Sequence, residues 1–248
     1  MSKVGDININ KQGVKMTIIE YNGCQNIKIK FEDGLIRNTT ASNFRKGEVL
    51  NYNLPTVYNK GYLGNKENTV AFKSLAYSMW HGMLRRCYSN EEKFKVYKDC
   101  KVCEEWLNFQ NFKTWFDKNY WKCGNERMSL DKDIMIKYNK IYSPNTCLIV
   151  PQKINAIFVK NYIKNRNYPN GVYKCGNGLS YSVFQDNKRI TKYINQATQD
   201  NMLFAFNEHK KTKENYIKFI ADLYKSKYPN FPQKVYDAMY SYQVEITD

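Results

Sequence analysis

The sequence predicts an α+β fold in three parts: a small N-terminal β-module, a central helical region with a ββα segment, and a C-terminal three-stranded sheet packed on helices. Three observations predict it. Short alternating segments separated by Asn-Gly and Asp-Gly pairs fill the first fifty residues. Aromatic residues recur every three or four positions between residues 104 and 120. Three further strand-like segments then precede a long helical stretch that begins near residue 197.

The N-terminal module is predicted to contain three strands. Residues 15–21, 26–32 and 35–40 have the apolar and polar pattern of half-buried strands, and tight turns separate them. Phe44 and Val49 follow and are expected to close the core of a small barrel or curled sheet. Residues 52–70 are rich in Asn and Gly and have no clear period, which predicts a surface linker.

The central region is predicted to be helical at first and then to change period. Helices are expected over residues 71–86 and 104–120, and the aromatic stripe of the second helix is interpreted as core rather than as a platform for bases. Residues 128–131 and 147–150 have the pattern of strands with a polar loop between them, and a helix is expected from Gln152 to Val159. The predicted order is therefore strand, loop, strand, helix.

The C-terminal region is predicted to contain strands over residues 171–175, 179–184 and 189–194. One bent helix or two are expected over 197–211 and 214–224, with a last helix over 232–240. Four apolar residues are expected to face the sheet: Phe204, Ile217, Ile220 and Leu223. The predicted domains are residues 1–52 (β-module), 53–70 (linker), 71–160 (helical and ββα) and 168–248 (sheet and C-terminal helices).

Positive charge is the main compositional signal. The chain has 39 Lys and Arg against 23 Asp and Glu, for a formal charge of +16. Residues 151–227 hold 14 of the basic and 5 of the acidic residues. A polyanion is the usual partner of such a chain, with nucleic acid the first candidate and a membrane surface the second. The alternative is a soluble protein with a lysine-coated surface.

Targeting signals are not evident. No apolar run approaches the roughly 20 residues needed to cross a bilayer, and the N-terminus lacks the apolar core of a signal peptide. We therefore expect no membrane partner and a cytoplasmic location.

Two adjacent groups of motifs resemble known families. The first comprises WHGMLRRCY at residues 80–88, VCEEW at 102–106, LDKDI at 130–134 and YSPNTC at 142–147, followed by Val150, Pro151, Ile154 and Asn155. It resembles the phage-borne HNH-endonuclease-like proteins of bacteria. The second runs from GVY at residues 171–173 to Lys192 and on to the helix with Tyr216. It resembles the ethylene-response-factor-type DNA-binding domain. Together they cover about residues 75–248 and place the protein in the cytoplasm of a bacterial host cell.

The first resemblance implies a nuclease site, since HNH nucleases hold one divalent metal between two strands and a helix and use a His as general base. Asp131 and Asn145 match the metal ligands, for Mg²⁺ or another divalent cation if the site is active, and Asn139 matches the middle Asn of the loop. Lys132 stands where the family has the base His. A free lysine titrates near pH 10.4, and the neighbouring Asp131 and Asp133 favour its charged form.

Conventional HNH catalysis is therefore not expected. His81 and His209 are the two histidines, and neither matches the base. The structural alternative for Asp131, Lys132 and Asn145 is that they hold the loop together by capping and salt bridging.

The second resemblance implies that the three-stranded sheet enters the major groove of double-stranded DNA. The candidate contacts are Lys174, Ser182, Lys188, Arg189 and Lys192. Arg189 is the predicted base reader, because a guanidinium can bind guanine through two hydrogen bonds. Arg85 and Arg86 could add phosphate contacts or instead pair with Glu91, Glu92 or Glu104. The alternative for the whole set is a solvated sheet face.

The seven cysteines predict reduced thiols. Cys100 and Cys103 have the spacing of zinc ligands, and Cys87, Cys123 or Cys147 would be needed to complete a site. We expect no zinc site, because a second Cys-x-x-Cys is absent and several of these positions match core positions of the family.

Three functions follow as hypotheses. The first is a phage-type double-stranded DNA-binding protein on a degenerate HNH scaffold. The second is an active metal-dependent nicking endonuclease with a substitute base. The third is a counter-defence protein that binds a host protein or nucleoprotein complex, for example a CRISPR complex.

Overall fold

A computed structural model describes residues 2–64, 74–158, 167–185 and 188–246. The chain folds into two compact units, residues 1–117 (unit 1) and 118–248 (unit 2). The chain contains both helices and strands, with a four-stranded sheet near the N-terminus and a three-stranded sheet near the C-terminus, so the predicted α+β class is confirmed. Within these described ranges, no helix has the length and apolar character to cross a membrane.

Unit 1 begins with an antiparallel sheet in the order β1-β2-β3-β4. The strands are β1 (Ile7–Ile9), β2 (Lys15–Tyr21), β3 (Ile27–Phe31) and β4 (Ile36–Thr39). Alternation directs the apolar residues of β2 and β3 into one core, which helix α1 (Ala41–Arg45) helps to cover. The three strands expected from the sequence are confirmed, and Phe44 and Val49 are buried in this core.

The rest of unit 1 is mainly helical. Helix α2 (Leu75–Tyr88) begins where the Ser74 hydroxyl accepts a hydrogen bond from the Tyr77 amide. A 3₁₀ helix (Glu92–Tyr97), strand β5 (Lys101–Val102), helix α3 (Glu104–Leu107) and helix α4 (Phe109–Asn119) follow. The aromatic stripe lies in the core, as expected: Trp106, Phe109 and Phe112 are almost fully buried.

Unit 2 contains the predicted ββα segment. Strand β6 (Met128–Asp131) pairs antiparallel with β8 (Leu148–Pro151), and helix α5 (Gln152–Phe158) follows directly. The loop between the two strands contains the short strand β7 (Ile141–Tyr142). The predicted order of strand, loop, strand and helix is therefore observed.

The C-terminal part of unit 2 is an antiparallel sheet in the order β11-β10-β9, packed on a helix. The strands are β9 (Val172–Cys175), β10 (Gly178–Gln185) and β11 (Lys188–Ile194). Helix α6 (Gln199–Lys227) is continuous over 29 residues, and α7 (Gln233–Tyr240) follows. The predicted turn at residues 186 and 187 lies outside the described residues. Residues 65–73, which cover the end of the predicted linker and the start of the predicted helix, and residues 159–166 also lie outside them.

One expectation for α6 is wrong in part. Ile217 is fully buried, and the Phe204 ring, although Phe204 is 54% exposed, lies 6.4 Å from the Tyr181 ring on β10, whereas Leu223 is 43% exposed. The side of α6 toward the sheet also includes the buried His209, whose Nδ1 lies 2.6 Å from the Ser182 carbonyl oxygen. In one continuous helix the six positions from Ile217 to Leu223 rotate Leu223 by about 120° away from Ile217, so the two residues cannot share one face.

Candidate functional site

The loop after β6 is the first candidate site, and Asp131 begins it. One carboxylate oxygen, Oδ1, accepts hydrogen bonds from the backbone amides of Asp133 (2.8 Å) and Ile134 (2.7 Å). Burial raises the pKa of Asp131, although these two hydrogen bonds act in the opposite direction. Asp131 therefore caps the turn that follows β6.

Lys132 is buried, with 6% of its surface exposed. Its Nζ donates to both carboxylate oxygens of Asp133 (2.8 and 2.7 Å) and to the Asn139 carbonyl (2.6 Å). An ammonium group has three N–H donors, whereas a neutral amine has two and a lone pair. Contact with three acceptor oxygens is the geometry of an ammonium that braces the loop.

Asn139 braces the same loop from the other side. Its Nδ2 donates to the carbonyls of Lys132 (3.0 Å) and Ile141 (2.7 Å), and its Oδ1 accepts from the Ile141 amide (3.0 Å). The amide is thus used fully within the loop, which agrees with a middle Asn that shapes it. Asn145 is exposed, in the turn closed by the hydrogen bond from the Cys147 amide to the Ser143 carbonyl (3.1 Å).

The oxygen atoms of this loop decide whether it can bind a divalent metal. Mg²⁺ is bound by one or two carboxylates with waters and substrate phosphates. Asp131 has committed Oδ1 to the backbone, and the carboxylate of Asp133 is paired with Lys132. One carboxylate oxygen and the Asn145 amide are therefore a poor fit for the cation.

The second candidate site is the sheet β9–β11, where the register separates two faces. Leu179, Tyr181 and Val183 alternate along β10 and are buried on the side of α6. The intervening residues of β10 and their cross-strand partners form the opposite side, which we call the arginine face: Tyr173, Ser180, Ser182, Arg189, Thr191 and Tyr193. Phe184 has the same parity, but its ring stacks on that of Tyr216 in α6 at 4.7 Å. Arg189, Thr191 and Tyr193 are exposed on it.

Arg189 is held in place on the arginine face. Its Nε donates to the Ser182 hydroxyl at 2.9 Å, and an Nη donates to the Tyr173 hydroxyl at 3.4 Å. Ser182 is itself fixed from behind, because its carbonyl oxygen lies 2.6 Å from Nδ1 of the buried His209 on α6. The guanidinium is thus supported at one edge while the residue remains exposed.

The predicted lysines lie on the other side of the sheet. Lys174 is opposite Leu179, Lys192 is opposite Tyr181, and Lys188 has the same parity as Lys192 on β11. The structure therefore brings Ser182 and Arg189 together and separates them from Lys174, Lys188 and Lys192. All three lysines are exposed and accessible from the edges of the sheet.

Four residues of the arginine face were missed in the sequence, among them Ser180. Tyr173, Thr191 and Tyr193 share the face of Arg189, and Tyr193 is 68% exposed. Alternation along β11 would have identified Thr191 and Tyr193 once Arg189 was assigned to a face.

Arg85 and Arg86 lie in the last turn of α2, in unit 1. Arg85 forms a two-pronged ion pair with Glu91, in which Nη2 lies 2.8 Å from Oε2. This pairing lowers the pKa of Glu91 to about 2. Arg86 lies over the ring of Tyr97. The pairing that the sequence left open for Arg85 is therefore the one observed.

The structure describes all seven cysteines and joins none of them in a disulfide. Burial raises the pKa of the Cys103 thiol and also that of Cys123. Among the residues described, no three His, Cys, Asp or Glu side chains cluster as metal ligands would.

Comparison with known proteins adds no relative. No family model, no curated protein and no solved structure matches this chain.

Proposed function

We propose that this protein binds double-stranded DNA through the arginine face of its C-terminal sheet. The observation that carries the proposal is the braced guanidinium of Arg189, an exposed residue of the edge strand β11 that is held by the Ser182 and Tyr173 hydroxyls. A bidentate donor held at one edge is suited to the O6 and N7 acceptors of guanine in the major groove.

Charge supports the same proposal. Residues 151–227 hold most of the basic excess, and Lys174, Lys188 and Lys192, on the other side of the sheet from Arg189, would contact phosphates from its edge strands. Such contacts supply affinity that falls steeply with salt, whereas Arg189 would supply base discrimination.

We also propose that the ββα segment is a nuclease scaffold without nuclease chemistry. A general base must present a lone pair to the attacking water. Lys132, at the base position, directs its Nζ to three acceptor oxygens, and Asp131 is used as a turn cap. The segment then contributes a rigid support next to the DNA-binding sheet rather than a cutting site.

The test compares Arg189→Ala with Lys192→Ala in titrations of a duplex. Both residues are exposed on β11, each substitution removes one positive charge, and the register places them on opposite faces. We expect Arg189→Ala to weaken binding by about 1–3 kcal/mol and to reduce discrimination among duplexes with altered G·C pairs. We expect Lys192→Ala to weaken binding to all duplexes by a similar factor and to lower its salt dependence, without changing discrimination among them. Equal, sequence-independent losses would contradict the proposal.

A further inference from the structure

A cavity lies in unit 1, far along the chain from the C-terminal sheet. It has a volume of about 470 Å³, within the range of roughly 300–1,000 Å³ that is usual for ligand sites. We call it the aromatic pocket. Its ring and polar lining comes from Asn51, Tyr52, Thr56, Tyr58, Tyr77 and His81.

The wall of the aromatic pocket contains a strained residue. Tyr58 and Asn59 have φ values of +51° and +55°, in a turn closed by hydrogen bonds between Val57 and Gly61. Such turns prefer Gly, Asn or Asp at both central positions. Asn59 fits this preference, but a bulky residue at positive φ is an outlier of the kind found at functional sites.

Packing keeps the turn in this position. A Cβ on Gly61 would collide with the side chains of Leu84 and Trp80 on α2, so the glycine allows the turn to dock closely on the helix. The docked turn places the Tyr58 ring 5.1 Å from the His81 ring, and His81 lies 5.8 Å from Tyr77. Three rings therefore border one space.

The charges of the aromatic pocket favour a neutral ligand. Of the lining residues that the structure describes, none is Asp, Glu, Lys or Arg. Burial and the nearby Arg85 lower the pKa of His81, so its imidazole is neutral at pH 7. Arg37 stacks on the Tyr52 ring at 3.8 Å, so two cations, Arg37 and Arg85, lie near residues of the lining. A cationic ligand would find no carboxylate in this lining, whereas a flat neutral ring with a polar edge would find rings, hydroxyls and an imidazole.

We propose that the aromatic pocket binds one unpaired nucleobase of a single-stranded nucleic acid. Bases stack on Tyr and His rings with little sequence preference, and the attached phosphates would be attracted by Arg37, which stacks on the Tyr52 ring of the lining. The Tyr58 ring is retained at a strained position because it forms one side of the stack. This site is separate from the arginine face and does not depend on it.

The test measures affinity of the full chain for two single strands of equal length. One carries bases, and the other is built of abasic residues, so both present the same phosphates. We expect the wild type to bind the base-bearing strand more tightly, by roughly fivefold to 150-fold, which corresponds to one stacked base. The variant Tyr58→Gly should remove this ratio and leave the affinity for the abasic strand unchanged.

The melting temperature of Tyr58→Gly separates binding from packing. Glycine adopts a φ of +51° without strain, so we expect the melting temperature to stay the same or rise. A second variant, Tyr58→Asn, also tolerates this conformation and should behave alike. A lower melting temperature in both variants would identify Tyr58 as a packing residue and overturn the proposal.

The two remaining outcomes also decide. Equal binding of both strands by the wild type, or an unchanged ratio in Tyr58→Gly, would overturn the nucleobase site. Arg189→Ala should weaken duplex binding but leave the ratio between the two single strands intact. Failure of the duplex proposal is therefore distinguishable from failure of this one.

Discussion

At the scale of single residues, Ser182 links the buried side of the C-terminal sheet to its exposed side. Its carbonyl meets His209, and its hydroxyl accepts from Arg189. We expect Ser182→Ala to cost about 1 kcal/mol in free energy of unfolding, as for a lost hydrogen bond, and to weaken duplex binding less than Arg189→Ala does. Chemical denaturation and duplex titration of the two variants measure this. A loss of duplex affinity in Arg189→Ala that is no larger than the loss in Ser182→Ala would contradict this prediction.

Asp131 gives a second prediction at this scale. Its pKa is raised in the folded state, so folding disfavours the charged carboxylate; the penalty is present above the folded pKa and absent below the unfolded pKa. Asp131→Asn keeps the Oδ1 acceptor and removes the charge. We expect the variant to be more stable than the wild type at pH 7, with a difference that shrinks as the pH falls toward the unfolded value. Denaturation at several pH values tests this, and a variant less stable at pH 7 would contradict it.

Lys132 is the third case. Lys132→Met removes the ammonium that binds the Asp133 carboxylate and the Asn139 carbonyl, and leaves both acceptors without it. We expect a loss of about 1–3 kcal/mol in free energy of unfolding, because one of these groups is partly buried and the loop loses its brace. Lys140→Met, an exposed position in the same loop, is the control and should change stability little. Equal effects would show that Lys132 does not brace the loop.

At the scale of elements, two glycines test how α2 packs: Gly61, in the turn that packs on α2, and Gly82, within the helix. Gly61→Ala would push a methyl group into Leu84 and Trp80, and we expect a loss of about 1–3 kcal/mol. Gly82 lies inside α2, where an added Cβ meets only the end of Arg86 at 3.8 Å. Gly82→Ala should therefore gain about 0.5–1 kcal/mol from helix propensity. Thermal unfolding of both variants decides, and a neutral Gly61→Ala would show that the turn does not dock as described.

The elements also show what the sequence could and could not predict. Strands β2, β3 and β4 were predictable because alternation and Gly-containing turns agree there. Strand β1 was missed because three residues are too few for a period to be detected. The ββα order was found from the change of period, but the hydrogen bonds of Lys132 depend on how the loop folds back on itself, which no local pattern specifies.

The candidate site was predicted unevenly for a similar reason. Arg189 and Ser182 share a face, but the three predicted lysines do not lie on it. Alternation along β11 already separates Lys188 and Lys192 from Arg189, whereas the faces of Lys174 and Ser182 depend on the strand register, which the sequence does not show. The aromatic pocket was missed altogether. Its rings come from residues 52, 58, 77 and 81, which tertiary packing brings together.

At the scale of the whole molecule, the C-terminal tail ties unit 2 together. Val244 is buried; its carbonyl accepts a hydrogen bond from Lys210 Nζ and its amide donates to the Glu214 carboxylate, both on α6. The Asn170 amide donates to the Ile246 carbonyl. The Tyr242 ring packs on Phe158 of α5. The tail therefore contacts the helix of the ββα segment and the helix behind the sheet. Removal of the tail should therefore destabilise both the ββα segment and the C-terminal sheet with its helix.

The central claim is that this protein binds DNA without cutting it, and one assay tests it most directly. Purified protein is incubated with supercoiled plasmid in Mg²⁺, in Mn²⁺ and in EDTA, and a gel is read for retardation and for nicked circles. We predict retardation in all three conditions, weakened by salt, with no nicking. Nicking that requires the metal and is lost in Asp131→Ala would contradict the claim that Lys132 has replaced the catalytic base, and absence of retardation at low salt would contradict DNA binding itself.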